Sequence, residues 1–390
     1  MRIPLMKDAF LNEQETKKKL SEFVLNANMF SMGKQCVAFE EKFAKWQNCK
    51  HALLFNSGGS ANLALLQALL SLGRLMPGAK VGFSSLTWST NVMPIIQMGM
   101  VPVPIDVDRN TVNVMSHNLL DRLKEVKLDA FFATNVLGYA GDLANIKKIC
   151  EENNIIFLED NCESLGTRVD GDRAGNFGLA STFSFYVAHH MSTIEGGMLC
   201  TSDDELYNML KITRANGWDR NLEPEEQAKI RAPYQIDPFR AKYSFFNLGF
   251  NLRPTEITGF LGQEQMQYLD ANIEKRLQNH AAFEKAINAN DELILVNHEH
   301  IDSISPFGLV ILCKTPELRK KYLEKFQDAD IEIRPVIAGN MQNQPFYHNY
   351  VQETYDIPET DFVNDCGFYC GNWPQMTKDD IEIICKALSK

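Results

Sequence analysis

Between about residues 50 and 201, short apolar runs alternate with longer stretches in which apolar residues return every three or four positions. The runs HALLF (51–55), KVGFSS (80–85), VPVPID (101–106), AFFATNV (130–136), IIFLED (155–160), STFSF (181–185) and GMLCT (197–201) read as buried strands. The stretches ANLALLQALLSLG (61–73) and LANIKKICEENN (143–154) read as helices. Strand and helix in this rhythm predict a mainly parallel α/β sheet of seven strands, covered by helices on both faces. Ligands of such sheets sit at the carboxyl ends of the strands.

After residue 201 the pattern changes. It turns helical, then polar and irregular, and NLEPEEQAKIRAPYQIDPF (221–239) predicts a long surface loop. One long helix is expected from about Thr255 to Asn279. It leads into an α+β portion with strand candidates LILVN (293–297), FGLVILC (307–313) and IEIRPVI (331–337). The expected division is a large cofactor-sized α/β domain, residues 1–260, and a small C-terminal α+β domain, residues 261–390. A chain of 390 residues has room for two such cores.

Charge narrows the partners. The net charge is -11 without a basic run, so nucleic acid is a poor partner. A small anionic ligand in one local pocket remains compatible. No apolar run approaches a membrane span, and MRIPLMKDAFLNEQETKKKL lacks the apolar core of a signal peptide. The nine cysteines are odd in number and scattered, as expected of reduced thiols in a cytoplasmic protein. Cys366 and Cys370 lack His or Cys companions, so no metal is expected there. The His189-His190 pair followed by Glu195 could suggest a metal site, but adjacent residues on one element rarely point the same way, so none is expected.

Candidate chemistry follows the strands. NSGGSANLALL (56–66) puts two glycines and two serines where a strand gives way to a helix, a phosphate-friendly turn that is also a common plain turn. Trp88, in LTWST, follows the second run and can stack on a flat ring or serve as a core aromatic. Glu159 and Asp160 end an apolar strand, where a carboxylate needs a positive partner: a protonated pyridine nitrogen or an arginine. Glu163 lies one helical turn further on. Ser184 ends another strand, His189 follows five residues later, and Glu195-Gly196-Gly197 turns into the next.

Taken in order, these motifs resemble the sugar-aminotransferase branch of the fold-type I pyridoxal-phosphate enzymes (aspartate-aminotransferase-like), and LGFNLRPTEITGFLGQEQ (248–265) extends the resemblance over nearly the whole chain. The resemblance implies roles. Gly58 and Gly59, helped by Ser60, would give backbone N–H groups to the cofactor phosphate. Ser184 would add its hydroxyl, and Asn251 would reach the same phosphate from the partner subunit of a homodimer. Trp88 would stack on the ring, Asp160 would hold the ring nitrogen protonated, and Glu163 would lie near the ring oxygen.

One departure matters most. The family reads Ser-Phe-x-x-x-Lys where this chain reads Ser184, Phe185, Tyr186, Val187, Ala188, His189. The lysine that binds the cofactor covalently is missing. The cofactor, alternating between pyridoxal and pyridoxamine 5'-phosphate, would be held by non-covalent contacts alone. An imidazole with an ordinary pKa of about 6.5 would move the protons. A subgroup, the nucleotide-sugar 3-dehydratases, shares this change and is similar in NSGGSAN, AHHMSTIEGG and RPVIAGNMQNQP (334–345). Members acting on CDP-linked sugars carry a cysteine-ligated iron–sulfur cluster, but residues 214–245 contain no cysteine. The resemblance therefore implies no such cluster, a GDP-linked 4-keto-6-deoxy sugar as substrate and L-glutamate as amino donor. Arg214, Arg220, Arg240 and Arg334 are candidates for the diphosphate, each with surface charge as the plain alternative. The rival readings are an ordinary keto-sugar aminotransferase and a binding protein without catalysis. No Gly-x-Gly-x-x-Gly follows a strand, so an oxidoreductase has little support.

Overall fold

The computed structural model describes residues 3–390. All seven apolar runs are strands: β1 (His51–Phe55), β2 (Lys80–Ser84), β3 (Val101–Ile105), β4 (Ala130–Thr134), β5 (Ile156–Asp160), β6 (Ala180–Ser184) and β7 (Gly197–Thr201). They form one sheet in the order β1-β7-β6-β5-β4-β2-β3. Strand β7 runs antiparallel to both its neighbours, and the remaining pairs are parallel. Helices cover both faces, so a strand such as β4 is buried at every position. That explains why these strands read as unbroken apolar runs instead of alternating.

The reversed strand positions the site. Gly197, at the start of β7, pairs with Phe55 on one side and Ser184 on the other. Asp160 pairs with Thr134 and Thr182. The ends of β1, β4, β5 and β6 therefore meet the start of β7 along one edge.

Two expectations need correction. The stretch expected to be one helix from Thr255 to Asn279 is two, Glu256–Met266 and Leu269–Asn288, broken at Gln267 and Tyr268. The halves bury against different bodies. In the first, Gly262 sits so close to Phe39 that a Cβ there would lie 2.3 Å from its ring. The second places Phe283 and Ile287 in the core of the small sheet. The expected loop 221–239 contains a helix, Pro224–Arg231. It buries none of its residues, so no apolar period announced it. Proline in its first turn, Glu225 and Glu226 near the start and Lys229 and Arg231 near the end support it instead.

The small sheet comprises β8 (Leu293–Ile294), β9 (Gly308–Cys313), β10 (Ile333–Arg334) and β11 (Gly367–Gly371), ordered β8-β9-β11-β10 and wholly antiparallel. Strand β11 was not expected from the sequence. Its five residues, GFYCG, contain no β-branched side chain. Among the described residues no helix is long and apolar enough to cross a membrane.

Candidate active site

The helix Gly58–Ser71 starts directly after β1. Ser57 caps it, its Oγ accepting from Ser60 N at 3.1 Å. The first intrahelical bond runs from Ala61 N to Ser57 O (3.1 Å), which leaves the N–H groups of Gly58 and Gly59 ahead of the ladder. Two glycines are sterically required. A Cβ on Gly58 would lie 2.9 Å from Ser184 Cβ, and one on Gly197 would lie 2.4 Å from the Ser57 carbonyl. The turn, Ser184 and the start of β7 thus enclose a small cradle that side chains would fill. A helix N-terminus with free N–H groups and a neighbouring hydroxyl suits a phosphate.

The two acids ending β5 face opposite ways, as successive strand residues must. Glu159 turns away from the cradle and accepts from Gly175 N (2.8 Å), Phe177 N (2.9 Å) and Gly178 N (2.7 Å). These amides take the place of the positive partner expected from the sequence. Asp160, 3% exposed, turns toward the site. Its Oδ2 accepts from Asn62 Nδ2 (2.9 Å) and Asn91 Nδ2 (2.8 Å), and its Oδ1 accepts from Cys162 N (2.9 Å). Among the described residues no cation pairs with it. A buried carboxylate held by three neutral donors is complementary to a protonated ring nitrogen. Trp88, just before the Ser89–Gln97 helix that carries Asn91, is 56% exposed. It is not a core aromatic, and its ring is free to stack. These features fit pyridoxal phosphate.

His189 sits in the loop between β6 and β7. Its Nδ1 lies 2.6 Å from the Cys162 carbonyl. A carbonyl only accepts, so Nδ1 carries the proton and Nε2 of the neutral ring keeps its lone pair. Burial pulls its pKa down to about 4, against the opposite pull of the Cys162 carbonyl and Asp160. At neutral pH His189 is therefore a proton acceptor. Glu163 accepts from Leu137 N at 3.0 Å, and burial pushes its pKa up to about 8, so at neutral pH it is a protonated acid. The two lysines nearest in sequence do not fill the gap. Lys148 lies near Glu152 (4.0 Å), and Lys211 sits over the Tyr207 ring (4.3 Å).

The arginine candidates separate. Arg214 is unavailable to a ligand. Its buried guanidinium pairs with Glu40 (2.7 Å) and donates to the Leu54 carbonyl (2.6 Å). Arg240 is exposed and lies 3.6 Å from Asp237. Arg334 pairs with Glu332 at 2.6 Å. Arg220 stacks over Trp218 (4.1 Å) and lines a cavity of about 520 Å³ with Asn251 and Arg253. Burial and Arg220 together lower the pKa of Arg253, so two cations crowd one opening. Asn251 itself is exposed and faces outward. Sequence reasoning missed Ser57, Asn62, Asn91 and Arg253. The Asn-x-Arg spacing held a signal for Arg253. The two asparagines had none, because they meet Asp160 only through the fold.

The strand order and the chemistry at this edge are those of the fold-type I pyridoxal-phosphate enzymes. Comparison with known proteins narrows the class: residues 11–389 match the DegT/DnrJ/EryC1/StrS aminotransferase family, and the chain belongs to it. It is similar to the GDP-4-keto-6-deoxy-D-mannose 3-dehydratase of Yersinia pseudotuberculosis, 32% identical over 371 residues, 94% of each chain. Among solved structures it resembles a GDP-4-keto-6-deoxymannose-3-dehydratase variant, a histidine replaced by asparagine, with bound GDP-perosamine. That match has a TM-score of 0.91 at 30% identity, over 99% of this chain and 100% of that one. It also resembles a GDP-4-keto-6-deoxymannose-3-dehydratase with a trapped PLP-glutamate geminal diamine, TM-score 0.90 at 30% identity, over 99% and 100% of the two chains.

Proposed function

We propose that the chain removes the C3 hydroxyl of GDP-4-keto-6-deoxy-D-mannose to give GDP-4-keto-3,6-dideoxy-D-mannose. L-Glutamate is the amino donor, and 2-oxoglutarate and ammonia are released. The observation that carries this reading is the state of His189. It stands where the family places its lysine, with Nδ1 pinned and Nε2 open. When bound, pyridoxal/pyridoxamine 5'-phosphate supplies the amine carrier and the electron sink.

The chain's residues supply the rest. Gly58 and Gly59 N–H groups, Ser60 and the Ser184 hydroxyl hold the phosphate. Asp160 would accept a hydrogen bond from the protonated ring nitrogen and keep it charged. Trp88 covers the ring face, and Glu163 donates near the ring oxygen. His189 Nε2 takes up a proton and, as imidazolium, delivers it to the departing C3 oxygen, one group serving as base and then acid. The overall equation balances without another reductant. The two electrons that remove the C3 oxygen come from oxidation of glutamate to 2-oxoglutarate and ammonia, so no iron–sulfur partner is required.

Arg220 and Arg253, neither with an ion pair among the described residues, are the best-placed cations for the diphosphate. Asn251 beside them faces outward, and Phe245 and Leu248 on the same segment are 58% and 72% exposed. We read this face as the seam of a two-fold homodimer in which Asn251 completes the partner's phosphate site. The small domain begins within about ten residues of 260, at the Gln267–Tyr268 break.

The deciding experiment incubates the protein with pyridoxal phosphate, L-glutamate and GDP-4-keto-6-deoxymannose, and reads ammonia and the mass of the sugar. Stoichiometric ammonia with a product lacking the C3 oxygen is expected, and His189→Asn should lose it while still binding cofactor. A 4-amino sugar that keeps its C3 hydroxyl would return the chain to the aminotransferases. Light scattering of the holoenzyme should give a dimer mass, and a monomer would remove the shared-site reading.

A further inference from the structure

A buried cation lies beneath the catalytic loop, and none of the chemistry above uses it. Arg276, in the Leu269–Asn288 helix, is 1% exposed and has no carboxylate partner among the described residues. Its Nε donates to Asn272 Oδ1 (3.0 Å) and its Nη1 to the carbonyls of Phe307 (2.7 Å) and Asn372. Its Nη2 is buried without an acceptor. Asn272 Nδ2 in turn donates to the His190 carbonyl. The Phe307 ring packs 5.1 Å from the His189 imidazole. Arg276, His189 and His190 line one void of about 10 Å³.

We propose that Arg276 is a positioning residue for His189: through Asn272 and Phe307 it fixes the catalytic loop, and its buried charge opposes a second positive charge on the imidazole. The inference rests on the reading of His189 as the base. Stability alone is a weak account of the arginine, because burying a guanidinium without a counter-ion is costly. Position does explain it. One side chain ties the helix, the residue before β9 and the residue after β11 to the loop that carries His189.

The charged and titratable groups around His189 divide into two sets. Asp160 faces it from β5, Tyr186 and His190 lie beside it in its own loop, and Asp8 lines the same void as His189 and Arg276. Arg276 faces it from the helix. Phe307 contributes an apolar wall. Asp160 favours an imidazolium; Arg276 opposes it and reinforces the larger effect of burial.

The test is the His189 titration in the holoenzyme, followed by NMR with 13C-labelled histidine and assigned with His189→Asn. Arg276→Gln and Arg276→Met remove the charge, and each should raise the His189 midpoint by about half a pH unit or more. Arg276→Lys keeps the charge but not the fork of bonds. It should leave the midpoint in place and lower dehydratase turnover at least about tenfold. An unchanged midpoint in both neutral variants, or full turnover in Arg276→Lys, overturns the proposal. If the neutral variants fail to fold, Asn272→Ala cuts the link to the loop without touching the charge. Undiminished turnover there overturns the positioning role. The titration is independent of the substrate assay: a moved midpoint in a chain that dehydrates nothing sinks the functional reading, and the positioning role with it, and leaves only the electrostatic coupling of Arg276 to His189 standing.

Discussion

Glu163→Gln should stabilise the protein, increasingly as pH rises. An ordinary glutamate titrates at 4.5, and burial raises Glu163 to about 8. Between those values the folded state holds a proton that the unfolded state has released. Stability therefore falls as pH rises through the window, by about 1.4 kcal/mol per pH unit. From pH 5.5 to 8.5 the wild type should lose about 3 kcal/mol through this group, an order-of-magnitude figure. Glutamine is neutral throughout, and its carbonyl can still accept from Leu137 N, which Glu163 does at 3.0 Å. The assay is urea unfolding of cofactor-free protein at one concentration, both variants, at pH 5.5 and 8.5. Other titrating groups cancel in the difference between variants, and ligand linkage is absent. A stability difference that does not grow between the two pH values would refute the claim that Glu163 is a buried neutral acid. It would also remove the proposed donor near the ring oxygen.

The lowered pKa of His189 sets the acid limb of activity. Because His189 stays neutral until pH approaches about 4, kcat/KM for glutamate in the first half-reaction should hold well below pH 6; a limb at 6.5 or above would contradict the buried, neutral imidazole. Arg214→Met should cost about 3–5 kcal/mol in urea unfolding, because it strands Glu40 in a buried site, with KM for the nucleotide sugar unchanged; a raised KM would return Arg214 to the diphosphate. Ile194 holds φ at 74°, a strained value for a β-branched residue, so Ile194→Gly should stabilise the fold by about 1 kcal/mol. A destabilised variant would mean that its side chain, 50% exposed, is buried against a second copy.

The large sheet was legible because strands buried on both faces appear as uninterrupted apolar runs, with helix starts and turns between them. The small sheet was less so. Strand β11 lies between β9 and β10, yet its GFYCG sequence has glycine at both ends and no β-branched side chain, so its two aromatics alone are a weak strand signal and its neighbours complete it. The break at Gln267–Tyr268 was hidden because both halves are good helices, and only their different packing partners separate them. In the site, Gly58, Ser184 and His189 stood on motifs with fixed spacing. Asn62 and Asn91 hold Asp160 from 98 and 69 residues away, and such convergence has no local trace. Arg214 was misplaced for the same reason: its partner Glu40 is 174 residues distant.

The absence of the lysine bears on retention of the cofactor as well as on proton transfer. A covalent link would make the remaining contacts secondary. Without it, on the proposed reading, the turn at Gly58 and Gly59, the Ser184 hydroxyl, Asp160 and Trp88 would hold the cofactor by themselves. Asp160 is buried and rigidly held, but Trp88 lies open. With Asp160 buried and Trp88 exposed, the proposed pocket would be deep at the ring nitrogen and shallow at the ring face. Asn251 points outward, and a neighbour that brought its own Asn251 and apolar Phe245–Leu248 segment against this face would cover the shallow side. On the proposed reading, the replacement of lysine by histidine would couple chemistry to assembly: the proton carrier is built within one chain, while closure over the cofactor would depend on two.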